Sequence, residues 1–172
     1  KLEFEKAAEL RDRKMAIERA STKQKVSNIT ENNIDVIGLY KSELEDESIA
    51  FYKSETPKCM LEGISHPVLI ASHIKPYKDS NSEEAFDVNN GLLLSKNTDS
   101  LFDLGYITFN NDGTICPSRV LSNDVIEHIT QFRLNEHFIN EKRLDYMAYH
   151  RAQVFEKRYN SYLAKKYIFE AV

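Results

Sequence analysis

Apolar residues at the front of the chain recur at three- and four-residue steps among charged ones. No Gly or Pro interrupts residues 1–26, and the apolar positions there are Leu2, Phe4, Ala7, Ala8, Leu10, Met15 and Ile17. This spacing places them on one face of a helix. Residues 34–40, IDVIGLY, follow a polar turn and have the β-branched density of a short strand. The pattern therefore predicts an N-terminal helix followed by a short strand.

Two apolar runs in the middle of the chain have the length and composition of buried strands. They are PVLIASHI, residues 67–74, and GLLLS, residues 91–95, and a long polar loop joins them. The residues after the second run, KNTDSLFDLG, predict a short helix. Ser95 or Asn97 is a suitable N-cap for this helix, and Gly105 stands where a left-handed residue would end it.

The rest of the chain predicts a hairpin and then helices. Residues 106–115, YITFNNDGTI, alternate in character around an Asn-Asp-Gly turn, which is a hairpin signal. From about Asn123 onward the pattern is helical, and the last helix falls near residues 141–168. The order strand, loop, strand, helix, hairpin, helices is typical of an α+β domain.

Composition narrows the class of protein. The 172 residues fit one ordinary domain or one small domain with an appendage, and 41% hydrophobic residues allow a real core. No apolar run approaches the roughly 20 residues of a membrane span, and the front of the chain does not resemble a signal peptide. Cys59 and Cys116 stand far apart, which argues against a disulfide framework and a four-cysteine zinc site. We therefore expect a reducing, cytoplasmic setting without membrane attachment.

The net charge of -4 argues mildly against a nucleic-acid partner. Charge is uneven, however, because basic residues outnumber acidic ones from Gln131 to the end of the chain. This distribution is compatible with phosphate contacts and does not require them.

Four polar residues fall at the ends of the predicted strands and on the helix after them. His73 ends the first strand, Asn90 precedes the second, and Asp99 and Asp103 lie four residues apart on one helix face. If the strands pair and the helix packs across them, that face looks toward His73. A neutral imidazole can take a proton from water, carboxylates can hold a hard divalent cation, and an amide can fix the loop. Phosphodiester hydrolysis needs this set.

Each of these residues also has a simpler interpretation when it is taken alone. His73 fits a structural histidine in the core, and Asn90 fits a turn residue before a strand. Asp103 could cap the helix or pair with a neighbouring lysine. Lys75 and Lys78, just past His73, could contact phosphates, although an exposed lysine usually has no specific partner.

Residues 59–115, which contain the blocks Ala-Ser-His-Ile, Asn-Gly-Leu-Leu-Leu and Leu-Phe-Asp, resemble the HNH endonuclease family. Residues 146–155, YMAYHRAQVF, resemble the closing helix of the same branch of that family. The resemblance implies a ββα-metal unit around one metal ion. In it His73 would be the general base, Asn90 would orient the loop, and Asp99 would take the third motif position, with Asp103 as a second metal ligand.

The sequence departs from the family pattern at two positions. Asp99 stands where a histidine is common, so the metal site would be all-oxygen and would favour Mg²⁺ or Mn²⁺ over Zn²⁺. Ser72 precedes His73 where some HNH enzymes carry an acidic or histidine ligand. The paired cysteines of zinc-braced HNH proteins are missing, so we interpret Cys59 as structural.

Residues 1–43 resemble part of the excision-repair nuclease UvrC, namely the second helix of its UVR motif and the strand that follows. In UvrC this motif is a helical hairpin that pairs with UvrB, and the first helix of the hairpin is not present here. We therefore divide the chain into a UvrC-like part (1–43), a junction (44–58) and an HNH domain (59–172). The join between the two resemblances is compatible with a natural or an engineered fusion.

Together these features predict an α+β protein whose ββα-metal core hydrolyses DNA in a metal-dependent reaction. The resemblance to the HNH family implies products with 5′-phosphate and 3′-hydroxyl ends. The alternative is a non-catalytic module that binds DNA or docks on a repair partner through a degenerate HNH scaffold. An RNA nuclease of similar fold also fits the sequence. A homodimer, or a complex with a repair or restriction protein, fits either activity, and the sequence preference is not readable.

Overall fold

The computed structural model describes residues 32–157, and these begin with a long helix, α1 (Asn32–Tyr52). The short strand predicted at residues 34–40 is therefore wrong, because this segment forms the first turns of α1. Propensity differences between β-branched and other residues are only tenths of a kcal/mol, and tertiary packing overrides them. Tyr40 and Leu44, one helical turn apart, are both buried in the core. The N-terminal helix predicted over residues 1–26 lies outside the described residues.

A two-stranded antiparallel sheet follows, with strands β1 (Leu69–His73) and β2 (Gly91–Ser95). Their register places His73 opposite Gly91 and Leu69 opposite Ser95. The three leucines of β2 are fully buried because α1 and the next helix both pack on the sheet. Both strands that the apolar runs predicted are thus confirmed, and the α+β class with them.

The loop between the strands contains three single turns of 3₁₀-helix, Tyr77–Asp79, Glu84–Phe86 and Val88–Asn90. Directly after β2 comes helix α2 (Lys96–Asp103). Its predicted start is confirmed, because the Ser95 hydroxyl accepts a hydrogen bond from the Thr98 N–H. Gly105 follows the helix with a φ of 75°, the left-handed conformation expected at a helix end.

The predicted hairpin is formed by strands β3 (Ile107–Phe109) and β4 (Ile115–Pro117). Two further helices complete the described chain, α3 (Asn123–Ile129) and α4 (Glu141–Gln153), with a 3₁₀ turn at Glu136–Phe138 between them. The last helix, predicted near residues 141–168, begins as expected but ends at Gln153, so the prediction of helix at residues 154–157 is wrong; the part beyond residue 157 lies outside the described residues. Among the helices that the structure describes, none combines the length and apolar character that a membrane crossing requires.

A buried arginine ties the first and last described helices together. Arg143 on α4 is 1% exposed, and its two terminal nitrogens donate to the Glu47 carboxylate on α1 at 3.1 and 3.0 Å. The same guanidinium donates to the backbone carbonyls of Phe138 and Val88. Because the Arg143 guanidinium is buried and bonded to α1, to the loop before β2 and to the turn before α4, it fixes α4 against both α1 and that loop.

Candidate active site

An open cleft of about 380 Å³ lies where the end of β1 faces helix α2. The residues that line it are Ala71, Ser72, His73, Pro76, Tyr77, Lys78, Asp99 and Asp103. The fold therefore brings four of the predicted site residues into one cleft, which are the histidine, both aspartates and one of the two lysines. Asn90 and Lys75 stand behind the cleft wall.

His73 is held in one orientation by a hydrogen bond on its far nitrogen. Its Nε2 lies 2.9 Å from the backbone carbonyl oxygen of Ala85. A carbonyl can only accept, so Nε2 must carry the proton. In the neutral ring the basic lone pair then belongs to Nδ1. This tautomer is the one that a general base acting through Nδ1 requires.

Two aromatic rings flank the imidazole. Tyr40 stacks on it with 4.8 Å between ring centroids and an interplanar angle of 15°. Tyr77 meets it edge-on at 5.8 Å and is itself half-exposed on the cleft wall. The ring of His73 is thus packed between α1 and the loop that follows β1. Sequence reasoning missed Tyr40, because it placed this residue in a strand belonging to a different part of the protein.

Asn90 is fully buried and closes the long loop at its base. Its side-chain oxygen accepts from the Lys75 N–H at 2.7 Å, and its amide nitrogen donates to the Glu84 carbonyl at 2.9 Å. The same nitrogen lies within hydrogen-bond distance of the Lys75 carbonyl and the Ser80 hydroxyl. An amide is suited to this position because it both donates and accepts. The contacts are those expected of a residue that orients the loop beyond His73.

The two lysines just past His73 have different environments. Lys75 Nζ pairs with both carboxylate oxygens of Glu84, at 2.7 and 2.6 Å, and lies over the Tyr149 ring. The hydrogen bond from Lys75 holds the pKa of the Glu84 carboxyl below its usual range. Lys78 is exposed on the cleft wall. Of the two lysines only Lys78 therefore lines the cleft, and the phosphate roles predicted for Lys75 and Lys78 both stay predictions.

The opposite wall of the cleft is acidic. Burial raises the pKa of the half-buried Asp99 carboxyl, and the nearby Asp103 carboxylate raises it further. The Ser72 hydroxyl beside Asp99 opposes both effects by favouring the charged form. Within the described residues, however, this buried hydroxyl makes no regular hydrogen bond. The wall thus concentrates negative charge at a partly desolvated position.

The donors in the cleft fit a hard cation that needs few protein ligands. Among the residues that the structure describes, no three His, Cys, Asp or Glu side chains converge as a metal-binding group. Mg²⁺ keeps several of its waters and is commonly held by one or two carboxylates together with substrate phosphate. Asp99 and Asp103 supply two such carboxylates. The donor set therefore suits Mg²⁺ or Mn²⁺ rather than a closed tetrahedral zinc site.

Helix α2 is anchored beneath the acidic wall by Glu62. One carboxylate oxygen accepts from the hydroxyls of Ser95 and Thr98, at 2.7 and 2.5 Å, and the other lies 2.6 Å from His66 Nε2. Burial alone would raise the pKa of Glu62, but these hydrogen bonds together hold it below its usual range. Sequence reasoning missed Glu62, since its partners on α2 are more than 30 residues away along the chain.

Comparison with known proteins supports the resemblances read from the sequence. Residues 59–110 match the family described as HNH endonuclease. The "UvrABC system protein C" of Clostridium beijerinckii is 57% identical over 42 residues, which are 24% of this chain and 7% of that protein. The protein of the same name from Clostridium perfringens (strain SM101 / Type A) is 46% identical over 54 residues, 31% of this chain and 9% of that protein. The chain thus matches less than a tenth of the length of these relatives.

Among solved structures, the "Modification dependent TagI restriction endonuclease" is similar at 22% sequence identity and a TM-score of 0.45. The likeness covers 66% of this chain and 38% of that one. The family match over residues 59–110 supports a nuclease in general terms.

Proposed function

We propose that this protein, whose residues 59–110 carry the HNH endonuclease match, is a metal-dependent DNA endonuclease with His73 as general base. One observation carries the proposal. The His73 ring is fixed by the Ala85 carbonyl as the tautomer that is basic at Nδ1, and it shares an open cleft with Asp99 and Asp103. Metal-dependent phosphodiester hydrolysis requires a positioned base and carboxylates that can hold the metal ion.

In the proposed reaction His73 Nδ1 takes a proton from a water molecule as the water oxygen attacks phosphorus. The bond from phosphorus to the 3′ oxygen breaks, the 3′ oxygen takes up a proton from solvent, and the products carry 5′-phosphate and 3′-hydroxyl ends. Asn90 keeps the loop closed behind the base. Asp99, with Asp103, would hold one Mg²⁺ or Mn²⁺, which when bound neutralises charge on the phosphate.

Lys78 is the proposed phosphate contact, because it is exposed on the cleft wall. Lys75 would act on the substrate only if the Glu84 ion pair opened. DNA is the proposed substrate and the cytoplasm the proposed compartment. A single chain would nick one strand, while two chains, or a chain with a repair or restriction partner, would cut both strands.

The non-catalytic alternative is favoured by the UvrC-like segment. Under that alternative the front of the chain docks on a repair partner such as UvrB, and the cleft is inactive. Binding of purified UvrB that is the same for wild type and His73→Ala, without any cleavage by wild type, is the outcome it predicts.

The test of the proposal is cleavage of supercoiled plasmid by purified protein with Mg²⁺, with Mn²⁺ and with EDTA. We expect metal-dependent nicking or linearisation, lost by at least about 100-fold in His73→Ala, because general-base catalysis contributes that much. His128→Ala is a matched control, since His128 is an exposed histidine on α3. Added imidazole should partly restore His73→Ala by filling the space beside Tyr40. Equal cleavage by folded His73→Ala and wild type would contradict the role of His73.

A further inference from the structure

Helix α1 precedes the segment that matches the HNH family, yet it contacts His73, one of the residues that line the cleft. Its Tyr40 is 3% exposed and makes two different contacts there. The ring stacks on His73, and the hydroxyl donates to the backbone carbonyl of Asn90 at 3.0 Å. One side chain thus touches the residue proposed as base and the residue that closes the loop.

Tyr40 can pack at this position because residue 91 is a glycine. A Cβ at Gly91 would collide with the Tyr40 hydroxyl and would lie 2.7 Å from its Cζ and 2.8 Å from Leu44 Cδ1. Gly91 is the β2 partner of His73 in the sheet register. The absence of a side chain on β2 therefore lets α1 approach the strand end that carries the imidazole.

From these contacts we infer that Tyr40 is a positioning residue for His73, an inference that rests on the proposed function. The stacked ring restricts rotation of the imidazole about its Cβ–Cγ bond, so that Nε2 stays on the Ala85 carbonyl and Nδ1 keeps the basic lone pair. The hydrogen bond from the Tyr40 hydroxyl to the Asn90 carbonyl joins α1 to the loop, and so keeps the ring in place. The region before the family match is then part of the active site. Among the described residues, Tyr40 is the only ring that stacks parallel to the His73 imidazole, since Tyr77 meets it edge-on.

Kinetics of three variants separate positioning from simple packing. Tyr40→Leu keeps an apolar side chain but removes the ring, and Tyr40→Phe keeps the ring but removes the hydroxyl. Tyr52→Phe is the control, because Tyr52 is on the same helix and its hydroxyl also donates to backbone carbonyls, those of Cys59 and Met60. We expect Tyr40→Leu to lower kcat about 10- to 100-fold with KM within about twofold, since small misplacements of a base have effects of that size. Tyr40→Phe should lose less than about fivefold and Tyr52→Phe nothing.

Nuclear magnetic resonance of the His73 ring gives a readout that does not depend on cleavage. Wild type should show nuclear Overhauser contacts between the rings of Tyr40 and His73, and a single tautomer protonated at Nε2. In Tyr40→Leu we expect the ring protons of His73 to lose their ring-current shift and the second tautomer to appear. Tyr52→Phe should leave these signals unchanged.

Two outcomes would overturn the inference. One is a folded Tyr40→Leu protein with wild-type kcat and an unchanged tautomer. The other is the absence of contacts between the rings of Tyr40 and His73 in wild type. This measurement needs no variant, so it tests the inference even if Tyr40→Leu does not fold. A wild-type protein that shows the contacts and the single tautomer but cleaves no DNA would refute the proposed function and leave the positioning contact standing.

Discussion

The two walls of the cleft are built on opposite principles. The loop wall, formed by His73 and the loop that Asn90 closes behind it, is held by hydrogen bonds: His73 Nε2 donates to the Ala85 carbonyl, and the Asn90 amide spans from Lys75 to Glu84. On the helix wall burial disfavours the charged form of Asp99, and the nearby Asp103 carboxylate adds to the effect. The first wall is thus held by hydrogen bonds, while on the second the fold disfavours a charge that a cation would neutralise.

The difference indicates a division of roles between the walls. Groups that are already hydrogen-bonded need no reorganisation during a reaction, which is how preorganised sites lower a barrier. A carboxylate such as Asp99, whose pKa is raised by burial, lowers the stability of the fold when it is charged, a common feature of functional sites. The loop wall would thus set geometry, and the helix wall would supply binding.

The largest expected effect comes from breaking the loop wall at Asn90. Asn90→Ala leaves the Lys75 N–H and the Glu84 carbonyl without their buried partner, at about 1–3 kcal/mol for each group. We expect the unfolding free energy to fall by about 3 kcal/mol and cleavage to be lost. Urea denaturation at fixed temperature measures the fall in unfolding free energy. Asn110→Ala, at an exposed position, is the control. Asn90→Asp should also destabilise, because a carboxylate cannot donate to the Glu84 carbonyl. A stable Asn90→Ala protein would contradict this account of the loop.

The next effect comes from Asp99→Asn on the helix wall. This substitution should stabilise the fold, whereas Asn90→Ala should destabilise it. The pKa of Asp99 is raised in the folded protein, so ionisation on raising the pH through that pKa destabilises the fold. The variant should therefore unfold at a higher temperature than wild type near pH 7.5, and at a similar temperature near pH 3.5, below the usual Asp pKa of about 3.9. Cleavage should fall at least about 100-fold, because the variant loses the carboxylate that we propose holds the metal ion.

Calorimetric scans of wild type and Asp99→Asn at the two pH values test the stability half of this prediction. Added Mg²⁺ should raise the melting temperature of wild type and not that of the variant. A variant that is less stable than wild type at pH 7.5 would mean that the Asp99 carboxylate is satisfied by the fold, and the contrast between the walls would disappear.

The smallest effects distinguish the two lysines. Lys78→Ala should weaken DNA binding severalfold and reduce the slope of log affinity against log salt by about one, as loss of one phosphate contact does. Lys75→Ala should leave that slope unchanged and instead loosen the loop, since its ammonium group pairs with Glu84. Binding titrations at several salt concentrations, with EDTA to prevent cleavage, measure both. Equal slopes for the two variants would show that the Glu84 pair opens on DNA.

The central ββα unit was predictable from sequence because its signals are local. Apolar runs marked β1 and β2, Ser95 marked the start of α2, and Asn-Asp-Gly marked the hairpin turn. The carboxylates that line the cleft followed from four-residue spacing on a helix. These inferences needed only short stretches of chain, so each could be made before the fold was known.

The support of the site could not be predicted, because it depends on contacts between distant residues. Tyr40 reaches Asn90 from 50 positions away, and Glu62 reaches Thr98 from 36. Residues 34–40 were misassigned for the same reason, since their β-branched pattern is local while the burial of Tyr40 and Leu44 against β2 is not. Nothing near His73 in the sequence indicates which ring will stack on it.

The buried Arg143 also has a consequence for the order in which this protein can be completed during synthesis. The chain is made from its N-terminus, so Tyr40, His73 and Asn90 all leave the ribosome before Arg143. The contacts of the guanidinium with Glu47 and with the carbonyl of Val88, two residues before Asn90, can therefore form only after residue 143 has been made. A nascent or truncated chain that ends before residue 143 contains the side chains proposed to be catalytic but lacks the arginine that fixes the loop behind them.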